Sequence, residues 1–128
     1  MESKMKILVI DDETEITSMI KDLFENEGFI VLTANDGAAG LDMMRKELPD
    51  LIILDLAMPK LSGEELCKAM RKDPNPFISN IPIIMLTAKS TDLDRILGIV
   101  LGANAYMTKP FKQDDLLNLV LKHLPGIK

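Results

Sequence analysis

Apolar residues gather in five short runs along the chain: "KILVI" (6–10), "FIVLTA" (29–34), "LIIL" (51–54), "IPIIML" (81–86) and "AYMT" (105–108). Most are continuous rather than alternating, which suits strands buried on both faces of a parallel sheet. Between them apolar positions recur at helical spacing: Ile16, Ile20, Leu23 and Phe24; Leu41 and Met44; Leu66, Ala69 and Met70; Leu93, Ile96, Leu97 and Val100; Leu116, Leu117, Val120, Leu121 and Leu124. The rhythm is five βα units. Parallel neighbours need crossovers of this length, so the economical architecture is an open, doubly wound α/β sheet with helices on both faces.

Turn signals agree with these boundaries at "EG" (27–28), "DG" (36–37), "LPD" (48–50), "SG" (62–63) and "LGAN" (101–104). The stretch "DPNPFISNIP" (73–82), with three prolines, reads as a surface loop rather than a domain linker. Residues 1–128 thus read as one domain, and 47% apolar with 27% charged residues is what an ordinary core needs. The closing "PGIK" suits a natural end or the cut edge of a longer protein.

A net charge of −5 without any Lys/Arg cluster lacks the electrostatic footprint of a nucleic-acid binder. No run approaches membrane-spanning length, and the N-terminal apolar stretch is too short for a signal peptide, so a cytoplasmic location is expected. The single cysteine, Cys67, fits a reducing compartment and reads as a small buried helix residue.

The chemistry lies where the runs end. "KILVI" leads into Asp11 and Asp12, "LIIL" into Asp55, "IPIIML" into Thr87 and "AYMT" into Lys109. In an open parallel sheet ligands bind outside the carboxyl ends of the strands, so all five groups share one edge. With strand order 2-1-3-4-5, three carboxylates meet at the switch point. Like charges so close require protonation or a cation. Mg²⁺ fits better than zinc, because it prefers oxygen ligands and the chain has no His/Cys ligand set. Lys109 offers a second positive charge and Thr87 a hydroxyl donor, so the set suits a phosphoryl group carried on one of the acids.

Each residue also has a plainer use. Asp12 with Glu15, or Asp11 with Thr14, would form a capping arrangement for the first helix. Asp55 and Thr87 suit local turns, and Lys109 an exposed site. Independent caps do not require collection at one edge, and that favours the shared site.

At these positions the chain resembles the receiver domain of two-component response regulators, through "VIDD" (9–12), "LDLAMPKLSG" (54–63), "MLTA" (85–88) and "YMTKPF" (106–111). The resemblance covers essentially the whole chain and implies a flavodoxin-like (βα)5 fold. It implies that Asp55 accepts phosphate from a histidine kinase or phosphotransfer protein. It further implies that Asp12, Asp55 and the Ala57 carbonyl bind Mg²⁺ directly, that Asp11 acts largely through water, and that Lys109 and Thr87 contact the phosphoryl oxygens. Lys109–Pro110 is similar to the family's cis peptide. Thr87 and Tyr106 are then the switch pair, with Tyr106 turning inward as Thr87 moves toward the phosphate.

Two departures bear on what is particular to this chain. Ala57 and Lys89, each two residues beyond an active residue, offer no acceptor to orient a hydrolytic water, so slow self-dephosphorylation is expected. "GANAY" (102–106) stands where many transcription-factor receivers resemble "GADDY", which makes a phosphorylation-dependent homodimer built on charge pairs less assured.

In "DLDRILGIVLG" (92–102), Ile96 and Ile99 are expected to face the sheet, leaving Leu97 and Val100 outward. With Tyr106 they form the expected face for a downstream effector protein or domain. A phosphohydrolase with an aspartyl intermediate would want a second acid where Ala57 stands. A phosphorylation-independent binding module would not need the intact set of Asp11, Asp12, Asp55, Thr87 and Lys109.

Overall fold

Residues 4–58 and 60–125 are described in the computed structural model, and five strands among them form one sheet. The elements in chain order are β1 (Lys6–Ile10), α1 (Thr14–Glu25), β2 (Ile30–Ala34), α2 (Gly37–Glu47), β3 (Leu51–Leu54), α3 (Gly63–Arg71), α4 (Pro76–Ser79), β4 (Ile83–Thr87), α5 (Asp92–Val100), β5 (Ala105–Thr108) and α6 (Gln113–His123). Every pairing is parallel and the order is β2-β1-β3-β4-β5, a doubly wound, flavodoxin-like sheet as the apolar rhythm predicts.

The continuous apolar runs have their physical reason in the middle of the sheet. All residues of β3 and β4 are buried. Leu8, Ile10, Ile52, Leu54, Ile83 and Met85 point to one face, where Met44 of α2 and Leu66, Cys67 and Met70 of α3 cover them. Ile7, Val9, Ile53, Ile84 and Leu86 point to the other, under Ile20 and Phe24 of α1 and Leu116 and Val120 of α6. Each such side chain contributes about 1.5–3 kcal/mol by leaving water. The flanking strand β5 is only half-buried, and β2 begins at the exposed Ile30 rather than at Phe29.

Two expectations are corrected. The segment 73–82 is not all loop: Asn75 accepts a hydrogen bond from the Phe77 N–H at 3.0 Å and Pro76 opens the one-turn helix α4. On α5, Ile96 and Ile99 do not face the sheet. They are 60% and 50% exposed, beside Leu97 at 47% and Val100 at 75%. The helix meets the sheet through buried Gly98, where a Cβ would lie 2.8 Å from Tyr106 Cδ2 and 2.9 Å from Met85 Sδ. Periodicity counts side chains, so it cannot register a contact made by the lack of one.

Helix α3 is set against the end of β3 in the same way. The Gly63 N–H donates to the Leu56 carbonyl at 3.0 Å, and a Cβ on Gly63 would fall on the Asp55 carbonyl oxygen. Its far end is tied to α5: Cys67 Sγ donates to the Leu101 carbonyl at 3.2 Å, and Arg71 donates to the carbonyls of Gly102, Ser79 and Ile81. Gly63→Ala is expected to destabilise the protein by about 2–3 kcal/mol, because backbone rather than a flexible side chain must yield. Urea denaturation checks this; unchanged stability would contradict the close approach.

Candidate functional site

The carboxyl ends of β1, β3 and β5 meet at a single ammonium. Lys109 Nζ lies 2.7 Å from Asp11 Oδ2, 2.8 Å from Glu13 Oε1 and 3.4 Å from Asp55 Oδ2. Parallel register makes this possible, because Ile10 pairs with Leu54 and the residues that follow leave the sheet together. Asp11 and Asp55 are buried, whereas Asp12 is exposed at the rim. One carboxylate oxygen from each of Asp11, Asp12 and Asp55 lies within 4.8 Å of the others.

Local backbone fixes the two buried acids. The Glu13 N–H donates to Asp11 Oδ1 at 2.9 Å and the Ala57 N–H to Asp55 Oδ1 at 3.3 Å. Helix α1 has Glu13 at its N-cap without a side-chain cap bond, so neither capping arrangement considered for Asp11 or Asp12 is formed. Burial, opposed by the hydrogen bonds from Lys109 and the Glu13 N–H, leaves the Asp11 carboxyl above its ordinary pKa. Burial works against the Lys109 ammonium too, yet the bonds to Asp11 and Glu13 outweigh it and raise the Lys109 pKa above its usual value. The lysine therefore stays charged at physiological pH.

Thr87 ends β4 on the same edge, buried, with Oγ1 accepting from the Lys89 N–H at 3.4 Å. Ala57 is exposed two residues beyond Asp55. The Lys109–Pro110 peptide is cis. Tyr106 is half-buried, its hydroxyl donating to the Lys89 carbonyl at 2.8 Å and its ring 5.7 Å from the Arg95 guanidinium carbon. Leu97 and Val100 are exposed on α5.

Three contributors have no hydrophobic signal. Glu13 joins the Lys109 cluster. Lys89 pairs with Glu64 at 3.6 Å, joining the loop after β4 to α3. Asn104 accepts from the Ile83 N–H at 2.9 Å and from Arg71 at 3.0 Å, so an amide in the "GANAY" stretch aligns β4 with β5. Their partners are 21 to 96 residues distant, beyond the reach of any local pattern.

Residues 7–121 match the response regulator receiver domain family. The chain belongs to that family. It is 48% identical over 111 residues to the alkaline phosphatase synthesis transcriptional regulatory protein PhoP of Bacillus subtilis, covering 87% of this chain and 45% of that protein. It is 45% identical over 112 residues to the transcriptional regulatory protein CpxR of Escherichia coli K12, covering 88% and 46% respectively. The chain thus spans less than half the length of these curated relatives. Among solved structures, the chemotaxis protein CheY4 of Vibrio cholerae superposes with a TM-score of 0.87 at 32% identity, covering 95% of this chain and 100% of that one.

The chain is therefore a receiver domain of two-component signalling. Its Asp11, Asp12 and Asp55 form the acidic triad typical of a receiver-domain Mg²⁺ site. The all-oxygen donor set fits a hard divalent cation. No helix among the described residues is long and apolar enough to cross a membrane.

The raised Asp11 pKa has a testable consequence. A carboxyl whose folded pKa is raised contributes stability below its unfolded value, near 3.8, and loses it as pH rises through the folded value. At neutral pH the ionised form costs stability. Asp11→Asn, which keeps an acceptor for the Glu13 N–H, is expected to raise the Tm of metal-free protein at pH 7, with the gain vanishing below about pH 3. Calorimetry in EDTA checks this; a lowered Tm would mean that the bond to Lys109 outweighs burial and repulsion.

Proposed function

We propose that Asp55 accepts a phosphoryl group from a phosphohistidine on a sensor kinase or phosphotransfer protein, and that this switches a partner-binding face. The observation that carries the reading is the crowding of three carboxylates around the end of β3, with Lys109 bonded to two of them. An Asp55 oxygen attacks phosphorus as the P–N bond breaks, and the electron pair leaves with the imidazole nitrogen. Lys109 neutralises phosphoryl oxygens, and the Thr87 hydroxyl donates to another.

Asp12, Asp55 and the Ala57 carbonyl would hold Mg²⁺ directly, and Asp11 through water; the cation supplies positive charge for the transferring group. Ala57 and Lys89 provide no carboxylate or amide to orient water against the acyl phosphate, so its hydrolysis is slow. A cytoplasmic setting fits both donor and cation.

Thr87 moving onto the phosphoryl group pulls on the loop that begins at Lys89, and Tyr106 is tied to that loop by the bond to the Lys89 carbonyl. Tyr106 turning inward then shifts α5 and β5 between two populations. Leu97, Val100 and Tyr106 belong to the face read by an effector protein or domain, with a phosphorylation-dependent homodimer as the second use. The exposure of Leu93, Ile96 and Ile99 makes this face more apolar than Leu97 and Val100 alone would.

Intact-mass spectrometry after incubation with Mg²⁺ and acetyl phosphate tests the chemistry. One phosphoryl adduct is expected, absent in EDTA and in Asp55→Ala, and persisting for minutes or longer. No adduct, or one that survives Asp55→Ala, would overturn the reading; decay within seconds would overturn the account of Ala57 and Lys89. For the output face, gel filtration with and without the phosphoryl mimic beryllofluoride is expected to show a mimic-dependent larger species that Leu97→Glu abolishes. A strict monomer throughout, with unaltered effector capture by Leu97→Glu, would contradict it.

A further inference from the structure

Glu13 occupies an unusual place for an N-cap residue. Its backbone carbonyl accepts from the Ile16 and Thr17 N–H groups at 3.1 Å, and its own N–H donates to Asp11. Its side chain makes no cap bond, forgoing a contribution typical of helix N-termini, and reaches Lys109 Nζ at 2.8 Å instead. That carboxylate is 58% exposed, whereas the Lys109 side chain is 11% exposed. Glu13 therefore stands on the solvent side of the only ammonium bonded to Asp11 and Asp55 among the described residues.

The charge balance gives this position its importance. Asp11, Asp12, Asp55 and Glu13 set four carboxylates against Lys109. With a divalent cation bound, one negative charge remains in excess, and it vanishes if Glu13 is neutralised. Lys89, two residues beyond Thr87 on this edge, is paired with Glu64. An anionic phosphodonor diffusing to Asp55 meets that excess charge.

We propose that Glu13 is a specificity-setting residue for phosphoryl transfer: its carboxylate disfavours small, highly charged phosphodonors at Asp55. The inference rests on Asp55 being the phosphoacceptor. In the step concerned, an Asp55 oxygen bonds to phosphorus while the bond from phosphorus to the donor's acetate oxygen or amine nitrogen breaks. The electron pair departs with that atom, an amine leaving group takes up a proton, and nothing is oxidised or reduced. Glu13 touches no reacting atom and acts through the field it imposes on the arriving donor and through its hold on Lys109. A donor docked as part of a protein brings compensating contacts that a free anion lacks.

The test is a time course of adduct formation at saturating Mg²⁺, followed by intact mass, with dianionic acetyl phosphate and with phosphoramidate, which carries less negative charge near neutral pH. Glu13→Gln is expected to raise the initial rate with acetyl phosphate about three- to tenfold, with a smaller gain for phosphoramidate. Both gains should shrink between about 0.05 and 0.5 M ionic strength, as screening removes the field. Glu15→Gln removes the same charge from the exposed first turn of α1 and should change the rate less than twofold. An unchanged or slower Glu13→Gln, a gain independent of salt and donor charge, or an equal gain from Glu15→Gln would each overturn the proposal. Those outcomes leave the wild-type adduct intact, whereas its absence, or its survival in Asp55→Ala, would strike at Asp55 as phosphoacceptor.

Discussion

The structure depends on one ammonium placed beside two carboxylates, Asp11 and Asp55, that water barely reaches. Without Lys109, Asp11 and Asp55 would be buried charges repelling each other at the ends of adjacent strands, a cost of several kcal/mol for each ion left unpaired. Hydrogen bonds of 2.7 and 2.8 Å to Asp11 and Glu13 keep the lysine charged against its own burial. The cluster remains short of positive charge, and in the proposed function a divalent cation makes up that deficit before an anionic phosphoryl group arrives.

Holding the cluster in shape is the work of close backbone approaches and long-range polar ties. Gly63 lets α3 start directly against the Asp55 carbonyl, and Gly98 lets α5 sit on Tyr106. Arg71 and Asn104 then bind the far end of α3 to the turn after α5 and to the start of β4. A change at the end of β3 is thereby connected to α5 by two routes, one through Tyr106 and the loop at Lys89, the other along α3.

Much of the fold was legible because the central strands are buried on both faces, so their apolar runs are unbroken and end where the chain leaves the sheet. Asp11, Asp55, Thr87 and Lys109 were visible for the same reason, each lying at or directly after such an end. The orientation of α5 was not, since Ile96 and Ile99 have the spacing of sheet-facing residues and the true contact is a glycine. Nor were Glu13 and Arg71, whose side chains bind across the fold to partners set by topology. The short helix α4 was hidden by prolines that also suit a loop.

If Lys109 and a divalent cation neutralise the same carboxylates, each must weaken the other's hold. Calorimetric titration of Mg²⁺ into wild-type protein and Lys109→Met, with folding confirmed by circular dichroism, tests this most directly. Removing the ammonium is expected to tighten Mg²⁺ binding by at least about tenfold, since a unit charge about 4 Å away contributes about 1 kcal/mol per charge of the cation even in a water-like dielectric. Binding that is unchanged or weaker in Lys109→Met would contradict the account, because the lysine and the cation would then not be sharing the acidic cluster.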